Sequence, residues 1–596
     1  MTHPTTRFHA GSVLFDVLRD HDAAGVLRRR APSIVDSTLL HTFHAQPVGL
    51  VLDTESGLSD GDRQQILAEL EAIGSRTVEV ADPAAPSAPS RSYEADDVAV
   101  ASVRVSFEAA VGRWERFELL LEGPAHGNPF VDVELTARFF GPLDSVHDVL
   151  GFYDGNGRYV VRFSPETIGE WRFETTSNAR SLDDVAGSFI ATESRSDGPV
   201  RAADTFHFAY ASGKRYLPIG TTSYAWTHQD DALQEETLRS LESGPFTKIR
   251  MGIFPKSYTF NSNEPSRFLF ERRSDGTFDF ERFDPEFWHH LEGRIDQLDA
   301  LGIEADLILY HAYDRWGFSR MDPASDDRYV RYAVARLSAF RNIWWSLANE
   351  FDLLFEKTET DWERWAGIIQ RWDASDHLRS IHNCRVVYDH SRPWITHVSM
   401  QRTDTFKTAE MTTDWRHAWG KPVVVDECAY EGDIDQGWGN ITGEEMTRRF
   451  WEGALRGGYV GHGETYMDPD EILWWAKGGA LHGTSPARID FLTEVIRASP
   501  RGILEPLETE WDVTVAGEED EYYLYYFGLS RPSFRRFFHD PRFAWTVDVI
   551  DTWNMTVETL GETQSGRFVV DLPGRPYFAV RLRRSETASQ ADEAQA

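Results

Sequence analysis

Cysteine is nearly missing from this chain: Cys384 and Cys428 are the two among 596 residues. A disulfide framework and a four-cysteine zinc site are thereby excluded. Long apolar runs are missing as well, so no segment is read as crossing a membrane. The opening stretch "MTHPTTRFHAGSVLFD" lacks the apolar core of a secretion signal, and a cytoplasmic protein is expected. Positive charge is in short supply: 61 basic residues face 96 acidic ones, a formal charge of -35. Such a field repels nucleic acid and anionic membranes and favours a neutral partner, while leaving room for a homo-oligomer. No repeat of solenoid period is found.

Aromatic surface, in contrast, is plentiful: 20 Trp, 37 Phe and 20 Tyr. Most must fill cores, and their faces also suit the C–H surfaces of sugars. The length exceeds what one core organises, so several domains are expected. Residues 1–80 read as a small helical module, with Ser59 or Asp60 capping a helix whose face carries Ile66, Leu67, Leu70 and Ile73. A Pro/Ala/Ser linker follows at 81–97. From 98 to 200 the period becomes two: Val131, Val133, Leu135, Ala137 and Phe139 alternate with polar residues in "VDVELTARF". Asp-Gly and Asn-Gly turns follow, and a β-sandwich domain is predicted. Residues 201–500 hold eight short apolar runs separated by helical stretches, the α/β pattern of a (β/α)8 TIM barrel. A C-terminal β domain is assigned to 501–584 and a disordered tail to 585–596.

Several runs end in polar side chains: His311, Glu350, His382, Gln401, Glu427 and Glu464. In such a barrel, chemistry is done at the C-terminal strand ends. Glu350 closes the fourth run, "NIWWSLANE", and Glu427 the seventh, "KPVVVDE". Strands four and seven lie nearly opposite, so these carboxylates can flank one bond. Glycoside hydrolysis needs that arrangement, with about 5–5.5 Å between the two groups in a retaining enzyme. One such glutamate alone is more often an ordinary ion-pair residue; the coincidence of two argues for catalysis. Asp426 competes with Glu427, but strand alternation turns it to the other side. His311, Tyr313, Asp314 and Trp316 are expected to bind sugar hydroxyls, as are His382, Asn383, Gln401, His462 and Glu464. Trp474 and Trp475 suit a stacking floor, one of the two facing the core. Asp352 and Glu431 are read as helpers or surface groups.

The strand ends "WWSLANE" and "VVVDE" resemble the acid/base and nucleophile strands of the retaining, cellulase-like clan of glycoside hydrolases. With "GNPFVDVELTARF", "RRFWEGALRGGYVGHGETY" and "LWWAKGGALHG", residues 98 to 580 resemble a less-studied group with an N-terminal sandwich, a barrel and a small C-terminal β domain. The resemblance implies Glu350 as acid/base, Asn349 as a contact of the sugar 2-hydroxyl, Glu427 as nucleophile and Arg250 beside it. A fixed guanidinium would hold Glu427 ionised, whereas apolar surroundings would keep Glu350 protonated.

Two rivals stand against this reading. A metal-dependent amidohydrolase-like barrel lacks support, because no His-x-His ends the first run and the 20 histidines are scattered. No metal or cofactor is expected. A non-catalytic carbohydrate-binding barrel would be favoured if either glutamate were missing. The long insert "FPKSYTFNSNEPSRFLFERRSDGTFDFERFD" is expected to wall the barrel mouth into a pocket, implying an exo-acting enzyme on short oligosaccharides or glycosides.

Overall fold

The computed structural model describes residues 8–37, 39–73, 92–404 and 407–585. Most of the expected linker, up to residue 91, and the tail from 586 lie outside the described residues. Among those described, no helix is long and apolar enough to cross a membrane.

Short helices from Leu14–Arg19 to Asp60–Glu71 open the chain. Ser59 caps the last of them through a reciprocal capping box with Asp62, and Ile66 and Leu70 turn into the core. Eight strands between Arg104 and Thr192 then form the sandwich. Its interior is aromatic, with Phe117 stacked on Phe189 at 4.0 Å and Phe139 on Phe163 at 4.3 Å. The alternation expected from Val131 onward fails at its start. Pro129–Asp132 is a helical turn and the strand is Leu135–Phe140. Pro129 is preset for a first helical position, and Asp132 closes the turn by accepting the Asn128 N–H at 2.8 Å.

Eight parallel strands follow: β1 (Gly220–Thr222), β2 (Lys248–Gly252), β3 (Glu304–His311), β4 (Ile343–Asn349), β5 (Arg379–Ser380), β6 (Val398–Gln401), β7 (Val423–Glu427) and β8 (Tyr459–His462). Their order is β5-β4-β3-β2-β1-β8-β7-β6. The Thr396 N–H donates to the Arg379 carbonyl at 2.9 Å and joins the two ends. All residues of β2, β3, β4 and β7 are buried, as expected of strands covered on both faces. Between β5 and β6 no helix is present among the described residues; the connection 381–397 is irregular. Inside the barrel Lys248 Nζ lies 2.6 Å from Asp306 and 2.7 Å from Asp426, so this buried charge is paired on both sides.

The sandwich rests on the barrel helices through a buried ionic cluster. Arg162 reaches Glu292 at 2.7 Å, and Arg336 reaches Glu292 at 2.6 Å and Asp154 at 2.7 Å. Beyond residue 505 a seven-stranded sheet and the pair Phe534–Phe538 with Arg567–Asp571 enclose Tyr523, Tyr525, Phe537 and Trp545.

Candidate active site

The C-terminal strand ends open into a cavity of about 600 Å³, within the ordinary range for small-ligand sites. Glu350 and Glu427 both line it. Each is nearly buried, at 6% and 7% exposure. Glu350 follows β4 directly and adopts a left-handed backbone, φ 52° and ψ 55°. For a residue with a side chain this costs about 1–2 kcal/mol, so the surrounding turn must hold it there. The Leu353 N–H donates to the Glu350 carbonyl and the Phe351 N–H to that of His382, both at 2.9 Å.

The two carboxylates have different company. Tyr313 donates to Glu350 Oε2 at 2.5 Å and Asn349 Nδ2 donates to it at 3.2 Å. Burial raises the Glu350 carboxyl to about 7, helped by the charge of Glu427 and opposed by Lys256. Glu427 instead meets two donors: the Tyr224 hydroxyl donates to Oε1, and Arg250 Nη1 lies 3.3 Å from the same oxygen. Arg250 also donates to Asn349 Oδ1 at 2.7 Å, so one guanidinium ties the end of β4 to the end of β7. Asp426 is occupied elsewhere: it pairs with Lys248 and accepts from Ser399 at 2.6 Å. Burial opposes its ionisation, yet Lys248 and Arg250 hold it below the usual carboxylate range.

Of the other expected residues, Tyr313, Asn383, Gln401 and Trp475 line the cavity. Trp474 does not; it is buried and donates to Thr221 Oγ1 at 2.8 Å, which settles which of the two tryptophans faces the core. His311 is buried 3.3 Å from the Phe254 carbonyl, and burial beside Lys256 lowers it to about 4. Trp316 points into the insert, where Nε1 donates to Glu264 at 3.1 Å, and Asp314 is used by the N–H groups of Trp316, Gly317 and Ser319. His382 stands behind Glu427, its Nε2 3.7 Å from Oε1 and too far for a hydrogen bond. These four residues therefore do not form the expected rim of sugar contacts.

His462 and Glu464 do not line the cavity either; they lie together with Glu431. Among the described residues this trio could hold a metal ion, its ligand atoms lying within 4.8 Å of one another. Its carboxylates already serve the chain, however. Glu464 accepts from the N–H groups of His482 and Gly483, and Glu431 from those of Thr484 and Ser485, which anchors the helix Ser485–Arg497. Glu431 and Asp352 were expected as helpers or surface groups; both are fully buried, because each collects several backbone N–H donors.

Tyr224, Lys256, Tyr258, Tyr430 and Trp438 line the cavity and were not anticipated. Tyr224, Lys256, Tyr258 and Tyr430 follow β1, β2 or β7 within six residues, so the strand-end rule that selected Glu350 could have found them; Trp438 lies eleven residues past β7. Lys256 Nζ sits 3.6 Å from the Tyr224 ring centre and 4.5 Å from that of Trp475, and burial lowers it to about 8. From the long insert, only its start reaches the cavity; the hairpin Phe270–Arg272 with Phe278–Phe283 packs on Phe318 instead.

Comparison with known proteins fits this geometry. Residues 203–498 match the "Apiosidase-like, catalytic domain" family, and 110–178 and 511–583 match two domains of unknown function, DUF5060 and DUF5605. A structure described as a "putative glycoside hydrolase" from Bacteroides vulgatus ATCC 8482 shares 37% identity, covering 80% of this chain and 100% of that one, with a TM-score of 0.76. A glycoside hydrolase family 5 structure from the same organism shares 14% identity over 65% of this chain and 94% of that one, TM-score 0.52, a likeness of fold. No curated protein matches the chain. Fold and matches together define a glycoside hydrolase of the cellulase-like (β/α)8 clan. Within that clan, the chain belongs to the family of the Bacteroides vulgatus protein, with an apiosidase-like catalytic domain.

Proposed function

We propose that the chain is a retaining, exo-acting O-glycosidase in which Glu427 is the nucleophile and Glu350 the acid/base. The observation that carries this reading is the opposed environment of the two carboxylates: burial keeps Glu350 protonated to about pH 7, while Arg250 and Tyr224 stand against Glu427. In the first step Glu427 bonds to the anomeric carbon as Glu350 gives its proton to the leaving oxygen. In the second, Glu350 takes a proton from water, the water oxygen bonds to that carbon and Glu427 is released. Asn349 would contact the sugar 2-hydroxyl, as the clan resemblance implies. Trp475 supplies a stacking face beside it. Exo action is supported by the start of the long insert, whose Lys256 and Tyr258 line the cavity. The family description makes apiosides the first substrates to try.

The test is a pair of variants. Glu427→Ala should lose nearly all turnover and recover part of it with azide, giving a product of inverted configuration. Glu350→Gln should lose about 10²–10⁴-fold on poor leaving groups and much less on activated aryl glycosides. Near-normal turnover by Glu427→Ala, or equal losses of Glu350→Gln on both substrates, would refute the assignment. Early release of mid-sized fragments from an oligosaccharide would refute exo action.

A further inference from the structure

The N-terminal helices lie outside all three matched domains, the first of which begins at residue 110. Even so, one of their side chains reaches the turn that follows the candidate acid. His44 Nε2 lies 2.9 Å from Asp352 Oδ2, and both side chains are fully buried. Asp352 sits two residues after Glu350, inside the turn that holds the left-handed backbone. Its carboxylate also accepts the N–H groups of Cys384, Arg385 and Val386, at 2.6, 2.9 and 2.9 Å. It thus locks the turn after β4 to the loop after β5. His44 is the one donor of the four that comes from the N-terminal helices. Its other ring nitrogen faces the His41 carbonyl at 2.9 Å, which fixes the ring from both ends.

An apolar seam surrounds this contact. Phe15 meets Phe351 edge-on at 5.6 Å and Phe355 at 6.4 Å, and the His44 ring meets Phe355 at 5.7 Å. The same helices reach the cavity, where His41 and Ala45 line it beside Arg385 and Val387. An acid must face the leaving oxygen, so the wall that continues from the turn of Glu350 faces the leaving group.

We infer that the N-terminal helical module is a working part of the active site: it walls the leaving-group side of the cavity and, through His44, positions the turn that carries Glu350. This rests on reading Glu350 as the acid. His44 acts through Asp352 and is a positioning residue, whereas His41 would meet the leaving group itself.

The full chain carrying His44→Ala should be compared with wild type and Glu350→Gln on an activated aryl glycoside and on the alkyl glycoside of the same sugar. A displaced acid impairs protonation, so we expect His44→Ala to lose tenfold or more in kcat on the alkyl glycoside and a few-fold on the aryl one. Ordinary destabilisation would lower both equally, and that result overturns the proposal. If Glu350→Gln shows the leaving-group bias and His44→Ala does not, only this proposal fails. If Glu350→Gln shows none, the acid assignment has failed first. His41→Ala, at an exposed position, should raise KM severalfold for an oligosaccharide carrying the same terminal sugar and less for the alkyl glycoside; an equal KM change for both overturns the wall. Hydrogen exchange needs no turnover. In His44→Ala the amides of 351–355 and 384–387 should exchange at least tenfold faster while those of β2 and β3 keep their rates, and unchanged rates at 351–355 would overturn the positioning role.

Discussion

Replacing Glu350 by Gln should stabilise the protein at alkaline pH and do little at acid pH. Glu350 titrates near 4.5 in an unfolded chain and near 7 in the fold, where burial opposes its charge. A raised folded value means that the folded state holds its proton longer, so the contribution is fully present below about pH 4.5 and lost as pH rises through 7. The interval of about 2.5 units corresponds to about 3 kcal/mol, since one unit is 1.36 kcal/mol. With the side chain 6% exposed, solvent screening removes little of that. Gln keeps the shape and cannot ionise, so it escapes the loss. Urea titrations followed by tryptophan fluorescence, on both proteins at pH 4.5 and 8.5, measure the change. The advantage of Glu350→Gln over wild type should grow by roughly 3 kcal/mol between the two. A difference that stays constant with pH would show that burial does not hold Glu350 protonated, and the argument for it as the acid would fall with that result.

Lys256→Met should move the alkaline limb of the kcat/KM profile upward, because the lysine charge lowers the Glu350 value; a limb that stays or moves down would contradict this. Trp474→Ala and Trp475→Ala should each destabilise by about 3–5 kcal/mol, the usual cost of truncating a buried tryptophan, but only Trp475→Ala, whose ring lines the cavity, should raise KM; thermal melts alongside kinetics measure both. Arg336→Met should cost about 3–5 kcal/mol by leaving Glu292 and Asp154 short of a buried partner, measured by urea unfolding.

Local pattern carried much of the architecture. Eight apolar runs became eight parallel strands because strands buried on both faces must be apolar along their length, and that signal lies within each run. Glu350 and Glu427 were legible for the same reason: a carboxylate that ends such a run sits where the barrel opens. What the local pattern could not decide was where each remaining strand-end side chain goes. His311, His382 and His462 follow the same rule in sequence, yet none lines the cavity: His311 faces the Phe254 carbonyl, His382 stands 3.7 Å from Glu427 and His462 meets Thr221 Oγ1 at 3.0 Å. Asp352 and Glu431 look like surface acids until several distant N–H groups converge on them, and charge is cheap to bury only where such donors wait. The helix expected between β5 and β6 is replaced by an irregular loop whose Cys384, Arg385 and Val386 N–H groups serve Asp352. The contact of His44 with Asp352 spans 308 positions, and no periodicity or motif encodes a pairing between surfaces so distant in sequence. The sequence by itself determined the strands and the two carboxylates at their ends. The tertiary structure decided which side chains surround them, because a cavity is built from the meeting of loops and not from any one of them.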